Sequence, residues 1–323
     1  MRITNNLLNN RFYRHLNDSI SVMDNLNERV LTGSKFNRAS EDVAGAMKAL
    51  KVRRSLSRND QYQKNIRDAQ GVLDQTESTL MGIHEILNLA KENCIQGSNG
   101  VLSDSNRETM MTVFKGLQDS LLKLANEKYA GKYIFGGPNT TTPPFTFDAD
   151  GNLMYNGVDV NDAANISTEE IFVDVGLGLS FNASGQVEGH TAVSVSTPGS
   201  SVLGYGVDAD GIPNNIYLLF GDIINSLESN DMPMLEKQLA KVAEKGDSIL
   251  VQVAGIGERC QYVEFLNDRM ELTTLNLQKK QMDIESADRA KSITDFKQAD
   301  MAYQAALQMG SKILQTSLLD FLR

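Results

Sequence analysis

The sequence predicts a mainly α-helical protein in which N- and C-terminal segments form a long antiparallel coiled coil or helical bundle, with a small β-rich domain inserted between them. Three observations predict this fold class. A heptad pattern runs through residues 62–94, a second runs through residues 235–263, and residues 131–213 between them are rich in Gly, Pro and alternating apolar residues. Apolar residues that recur every three or four positions form one face of a helix, and a heptad seam requires a partner helix.

The first helix is predicted over residues 5–31, because its apolar side chains step by three or four positions. Gly33 ends it, since glycine after a helix adopts the left-handed conformation at little cost. We expect Ser40 to cap the next helix, with Glu41 and Asp42 in a first turn where the helix dipole favours negative charge.

The second helix is predicted over residues 41–96 and carries the most regular seam in the chain. Its members alternate steps of four and three: Tyr62, Ile66, Ala69, Leu73, Thr76, Leu80, Ile83, Leu87, Ala90 and Cys94. The same helix contains a dense basic run, formed by Lys48, Lys51, Arg53, Arg54 and Arg58. That run is either a solvated helix face or a contact with an acidic neighbouring subunit.

A third helix is predicted to begin at Ser105, and β structure between Phe145 and about Pro213. The strand candidates are residues 145–147, 153–155, 171–175 and 192–196. Turns rich in Gly and Asn separate them, and we expect the strands to bury their apolar faces against one another. The two Asp-Ala-Asp-Gly segments that begin at Asp148 and Asp208 lack the spacing of an EF-hand, so tight turns are predicted there.

Helix is predicted again from Asn214 to about Asn230, and then as one long helix from Leu235 to Arg323. No Pro follows Pro233, so only glycines are expected to weaken this last helix, at Gly255, Gly257 and Gly310.

Composition excludes several classes of function. The chain has 323 residues with 41 acidic and 31 basic side chains, a net charge of -10 that disfavours binding to nucleic acid. No apolar run approaches the ~20 residues of a membrane span, and no cleaved signal peptide is expected at the N-terminus. Cys94 and Cys260 lie on heptad core positions and are expected to remain thiols. Three separate histidines form no metal motif, so neither a metal site, a cofactor nor an active site is predicted.

Several segments resemble one family. Residues 31–45 resemble the spoke segment of bacterial flagellins and their relatives, with Val43 where many members have Pro. Tyr133-Ile134-Phe135-Gly136-Gly137, followed by Pro144, more specifically resembles the hook–filament junction proteins of that family. Residues 285–288 resemble the acidic segment before the last helix of those proteins, and residues 317–322 resemble their tail.

The resemblance implies a structural protein of the bacterial flagellum and not an enzyme. It implies export through the flagellar secretion apparatus to an extracellular position, with a chaperone on the C-terminal region before export. The implied partners are hook-associated protein 1 on the hook side, flagellin on the filament side, and further copies of the chain in a ring. A flagellin proper, or a surface adhesin on the same frame, stays an alternative.

This comparison also implies three parts. Residues 1–42 and 289–323 would form a terminal assembly domain, residues 43–144 and 214–288 a helical bundle, and residues 145–213 a variable outer domain. Both chain ends carry apolar stripes that they cannot bury alone, which predicts subunit contacts there. The candidate contact residues are Phe12, Leu16, Ile20, Met23, Ala306, Met309, Ile313, Leu314, Leu318, Phe321 and Leu322.

Overall fold

The fold is mainly helical, as a computed structural model that describes residues 5–98, 104–189 and 191–321 shows. The helices are α1 (Asn5–Thr32), α2 (Val43–Ser98), α3 (Asp104–Ala125), α4 (Gly199–Leu203), α5 (Ile216–Ser229), α6 (Met232–Glu285) and α7 (Arg289–Phe321). The strands are β1 (Lys128–Tyr129), β2 (Lys132–Tyr133), β3 (Phe145–Phe147), β4 (Leu153–Tyr155), β5 (Val158–Asp159), β6 (Phe172–Val173) and β7 (Val193–Ser194). The predicted fold class is confirmed.

Two units make up the chain, one formed by residues 1–59 with 272–323 and the other by residues 60–271. We call them the terminal unit and the middle unit. The division into three parts implied by the family resemblance stays a prediction.

The seam of α2 and the seam of α6 pack together in the middle unit. Leu73, Leu80 and Ile83 on α2 are fully buried. On α6, the side chains of Val242 and Ile249 are each only 1% exposed. The Cys260 Sγ lies 3.7 Å from Asp74 Oδ1. A methyl group at Gly246 would lie 4.0 Å from the ring of His84, so the two helices run antiparallel. The antiparallel pairing predicted for the long helices is therefore confirmed.

Helices α3 and α5 cover the same core. The rings of Phe114 and Phe220 meet edge to face with centroids 5.9 Å apart, and both side chains are fully buried. The Gln118 side-chain amide donates to the Tyr217 carbonyl at 2.9 Å. Aromatic pairs in this geometry stabilise a core beyond their buried area.

The β segments form three small antiparallel sheets. β1 pairs with β2, β3-β4-β5 forms a meander with Phe145 opposite Tyr155, and β6 pairs with β7. Strands β3 and β4 match their predicted bounds, whereas β6 and β7 are shorter than predicted. The pairs β1–β2 and the strand β5 were not predicted, because two-residue strands are too short to show an alternating pattern.

The strands bury apolar side chains against one another, as the rings of Phe145 and Tyr155 do with centroids 5.1 Å apart, but they also bury them against the helices, which was not predicted. Phe145, Tyr155, Val175 and Val193 belong to the same buried cluster as the seam of α2 and α6. The Asn65 side-chain amide on α2 also donates to the Asp174 carbonyl at 2.9 Å. Strands this short do not bury enough surface against one another to exclude water, so they share the core of the helices.

The two Asp-rich segments are tight turns, as predicted. Asp148 Oδ1 accepts hydrogen bonds from the backbone N–H groups of Asp150 and Asn152 at 3.0 and 2.8 Å. Asp208 Oδ1 accepts in the same way from Asp210 and Ile212. Both carboxylates accept hydrogen bonds from the backbone of their own turn. These hydrogen bonds hold the pKa of Asp148 and of Asp208 below the usual value.

Two predictions about helix ends are wrong. Helix α2 begins at Val43 and is capped by Asp42, whose Oδ1 accepts from the Gly45 N–H at 2.8 Å, and not by Ser40. The single C-terminal helix is broken between Glu285 and Arg289 instead of at a glycine. Gly255, Gly257 and Gly310 all lie inside helices.

Candidate functional site

The terminal unit contains the predicted assembly residues, and its two long helices α1 and α7 pack antiparallel. Phe12, near the start of α1, lies directly on Gly310 of α7: a methyl group built there would approach the ring to 2.1 Å. At the other end, the guanidinium of Arg289 lies against Gly33, 3.0 Å from where such a methyl group would stand. A glycine at a helix contact lets a bulky side chain approach the backbone closely, so Gly310 holds Phe12 and does not weaken the helix.

Ile20 and Met23 line a groove together with Phe296 of α7, which the sequence analysis did not single out. The groove has a volume of about 480 Å³, and its other walls come from α1. Phe296 was not predicted as a contact residue because it lies outside the apolar stripe of the tail. Its three-residue offset from Ile293, which is also apolar, is the signal that could have found it.

The predicted contact residues differ in exposure and in how far the structure describes them. Phe12, Leu16, Met23 and Ala306 are half-buried, and Ile20 is exposed. Met309 is 60% exposed, so its side chain does not contribute to a buried α1–α7 seam. Four residues are helical in the backbone of α7, but their side chains are not described: Ile313, Leu314, Leu318 and Phe321. Leu322 lies outside the described residues altogether.

The connections that lead into α2 and α7 pair with each other, and we call this pairing the clasp. Ser34 and Ser286 form an antiparallel bridge. The Lys35 N–H donates to the Glu285 carbonyl at 2.7 Å, and the Ala287 N–H donates to the Gly33 carbonyl at 2.8 Å. These bonds satisfy backbone groups that a continuous helix would use internally, which is why the C-terminal helix breaks here.

An ion pair fixes one side of the clasp. The Arg53 guanidinium donates to both carboxylate oxygens of Glu285, at 2.8 and 2.9 Å. This hydrogen bond lowers the pKa of Glu285, and it raises the pKa of Arg53. The Lys35 ammonium donates to the Asp283 carbonyl at 2.7 Å. On the other side, Asp288 Oδ1 accepts from the Lys291 N–H at 3.1 Å and caps α7.

The chemistry that these residues offer is packing and ion pairing. Among the described residues no group of three His, Cys, Asp or Glu side chains is placed to hold a metal ion. Burial raises the pKa of the Cys94 thiol to about 12 and that of Cys260 to about 11. Both thiols are therefore protonated at neutral pH and are weak nucleophiles. Within the described part of the chain, no helix is long and apolar enough to cross a membrane.

Comparison with known proteins gives a consistent result. Residues 3–140 match the family model of the bacterial flagellin N-terminal helical region. The flagellar hook-associated protein 3 of Escherichia coli is 31% identical over 147 residues, 45% of this chain and 46% of that protein. The alignment therefore spans less than half of that relative's length. The flagellin of Bacillus subtilis is 23% identical over 316 residues, 96% of this chain and 95% of that protein.

The fold is shared with a solved structure. A Vibrio parahaemolyticus protein described as flagellar and hook-associated superposes with a TM-score of 0.61 at 21% identity, over 76% of this chain and all of that one. At this level of identity the likeness shows the fold, which is the helical frame with its β insert.

Proposed function

We propose, from the flagellin N-terminal region at residues 3–140 and from the similarity to hook-associated protein 3, that this chain is a structural protein of the hook–filament junction. In this function the chain connects the hook to the flagellin filament. It performs no chemistry. Its residues act by forming contacts between subunits.

One observation carries the proposal. In the described parts of α1 and α7, the only buried positions are Ser292 and Gly310, so no large apolar side chain is buried there. Leu31 is 74% exposed and Met301 is 60% exposed. A pair of amphipathic helices that leaves its apolar residues half-buried or exposed gains stability only when further chains cover it. Terminal helices of this kind suit a protein whose working state is an assembly.

The proposed contacts follow from that surface. Copies of the chain would associate into a ring through α1, α7 and the tail, using the candidate contact residues from Phe12 to Leu322. Hook-associated protein 1 would lie on the hook side and flagellin on the filament side. Before export through the flagellar secretion apparatus, a cytoplasmic chaperone would hold the C-terminal region, and the assembled protein would be extracellular.

A flagellin, the subunit of the filament itself, is the second candidate. The alignment with Bacillus subtilis flagellin favours it by length, since it covers 95% of that protein. The higher identity to hook-associated protein 3 favours the junction, as does the segment from Tyr133 to Gly137. In the fold this segment has a packing role: Phe135 is buried, and its carbonyl accepts from the Tyr155 hydroxyl at 3.0 Å and the Gly199 N–H at 2.8 Å.

Electron microscopy of cells that lack this protein separates the two functions. A junction protein leaves complete hooks without filaments, and intact flagellin accumulates in the medium. Loss of a filament subunit instead removes that flagellin species from the medium. Restoring the gene should restore filaments. Cells that keep normal filaments on their hooks without this protein would contradict both functions.

A further inference from the structure

The two units carry opposite charge. The terminal unit has 18 Lys and Arg against 11 Asp and Glu, a net charge of +7, and the middle unit has 13 against 30, a net charge of -17. Surfaces of opposite sign attract one another between molecules and orient their encounter. A net charge does not locate a contact surface, but two exposed helix faces concentrate these charges.

One such face lies at the start of α2, within the terminal unit. Residues 43–59 contain five basic residues and no acidic one. Positions spaced by four, three, four and four lie on one side of a helix, and on α2 these are Val43, Met47, Leu50, Arg54 and Arg58, all exposed. Ala46, Ala49 and Val52 on the opposite side are buried. We call the exposed face the cationic stripe.

Within the part of the chain that the structure describes, the charges of the cationic stripe form no ion pair. Arg53, beside the stripe, is bound to Glu285 in the clasp. Among the described residues, Arg54 and Arg58 have no carboxylate within 4.0 Å, and neither do the flanking Lys48 and Lys51. Three exposed apolar side chains beside them, of which Met47 is 69% exposed, are unusual on a face that only meets water.

A complementary face lies on α6, within the middle unit. Positions that alternate steps of four and three run along its solvent side, and they are Asp247, Val251, Ala254, Glu258, Gln261, Phe265 and Asp268, all exposed. Ile249, Ile256 and Val263 on the opposite side are buried. Val251 is 73% and Phe265 60% exposed. We call this face, which contains three carboxylates and no basic residue, the acidic stripe.

We propose that the cationic stripe of one copy packs lengthwise against the acidic stripe of a second copy. Met47 and Leu50 would meet Val251 and Phe265, while the guanidinium groups would meet carboxylates. At 1.5 Å per residue the cationic stripe is about 22 Å long and the acidic stripe about 32 Å, so the first fits within the second. Each copy has one stripe of each kind, and the contact is therefore heterologous and repeats from copy to copy, as a ring or row requires. This contact is a surface for the self-association of the proposed function, and it rests on that proposed function.

Charge-swapped variants of the full-length protein test the contact by sedimentation at low and high salt. Arg54→Glu with Arg58→Glu should weaken self-association by about tenfold or more, because like charges then face each other. Glu258→Lys with Asp268→Lys should do the same. Combining all four changes should restore association towards that of the wild type. The matched control, Lys115→Glu with Lys123→Glu on α3, changes the net charge equally and should leave association unchanged.

A photo-cross-linking residue at position 47 tests the geometry. It should give a dimer whose cross-linked peptide comes from residues 247–268 of the other copy. The proposal is overturned if the wild-type protein does not self-associate at any concentration, if the four-fold variant is no better than either pair, or if position 47 cross-links to added flagellin and not to a second copy. These outcomes leave the proposed function intact, since that depends separately on whether cells without the protein lose their filaments.

Discussion

The middle unit and the terminal unit use the same helical periodicity with opposite results. In the middle unit α2, α3, α5, α6 and the small sheets converge, and Leu73, Phe114 and Phe220 are fully buried. In the terminal unit α1 packs on α7, and Phe12 rests on a glycine while staying only half-buried. An amphipathic stripe becomes a core only where enough partners surround it. We therefore expect the middle unit to stabilise the monomer, and we expect the terminal unit to form the subunit contacts of the proposed function.

The largest expected effect is on assembly, by removal of residues 314–323. The tail stripe of Leu314, Leu318, Phe321 and Leu322 would contribute roughly 1.5–3 kcal/mol per buried side chain, and only in the assembly. We expect truncation to abolish filament growth on hooks while the thermal melt of the isolated monomer stays nearly unchanged. A truncated protein that supports filaments at normal frequency would show that the tail is not needed for assembly. A truncated protein whose core melts at a much lower temperature than the wild type would show that the tail belongs to the monomer fold.

Next in size is the substitution Phe114→Ala in the middle unit. It removes a fully buried ring that packs on Phe220, and we expect it to lower the free energy of unfolding by about 3–5 kcal/mol. Urea denaturation followed by circular dichroism measures this loss. The control is Tyr13→Ala on α1, at a residue that is 52% exposed, with an expected change within about 0.5 kcal/mol. Equal losses in the two variants would show that the terminal unit also stabilises the monomer.

A pair of glycine substitutions gives effects of opposite sign. At Gly310 an added methyl group would lie 2.1 Å from the ring of Phe12, so Gly310→Ala should separate α1 from α7 locally at a cost of about 1–3 kcal/mol. At Gly255 an added methyl group meets nothing within 4 Å, so Gly255→Ala should stabilise α6 by about 0.5–1 kcal/mol. Hydrogen exchange of the amides in α1 and α6 measures both. Unchanged protection of α1 in Gly310→Ala would refute the Phe12 contact.

The smallest effect concerns the clasp and pH. Because the hydrogen bond from Arg53 lowers the pKa of Glu285, the pair stabilises the clasp above the unfolded pKa of about 4.3 and loses that effect as pH falls through the lower folded value. Arg53 is 60% exposed, so the contribution should be below about 1 kcal/mol. Protection of the Lys35 and Ala287 amides should fall as the pH is lowered below the unfolded value of about 4.3. Glu285→Gln should remove this step, and a step that persists would place its origin elsewhere.

The sequence alone determined the helical frame. The seam from Tyr62 to Cys94 fixed the position of α2, since a regular heptad is a local property of the chain. Together with residues 235–263 it predicted two long helices that pair antiparallel, and in the fold Cys260 lies beside Asp74. The positions of β3 and β4 followed from alternating residues bounded by turns. The family resemblance followed from short motifs, and residues 3–140 match the flagellin N-terminal region as those motifs implied.

Features that depend on residues far apart in the sequence become visible only in the three-dimensional fold. The break after Glu285 accompanies pairing between Ser34 and Ser286, which apolar periodicity does not reveal. The family resemblance at residues 285–288 was the one sequence signal for a helix start at this point. The insert shares the core of the helices because Phe145 and Val193 reach it in three dimensions. Gly310 was predicted to weaken the last helix, whereas in the fold Phe12 packs directly on it. Local periodicity specifies which face of a helix is apolar, and it cannot specify what covers that face, because the covering residues come from elsewhere in the chain or from another copy.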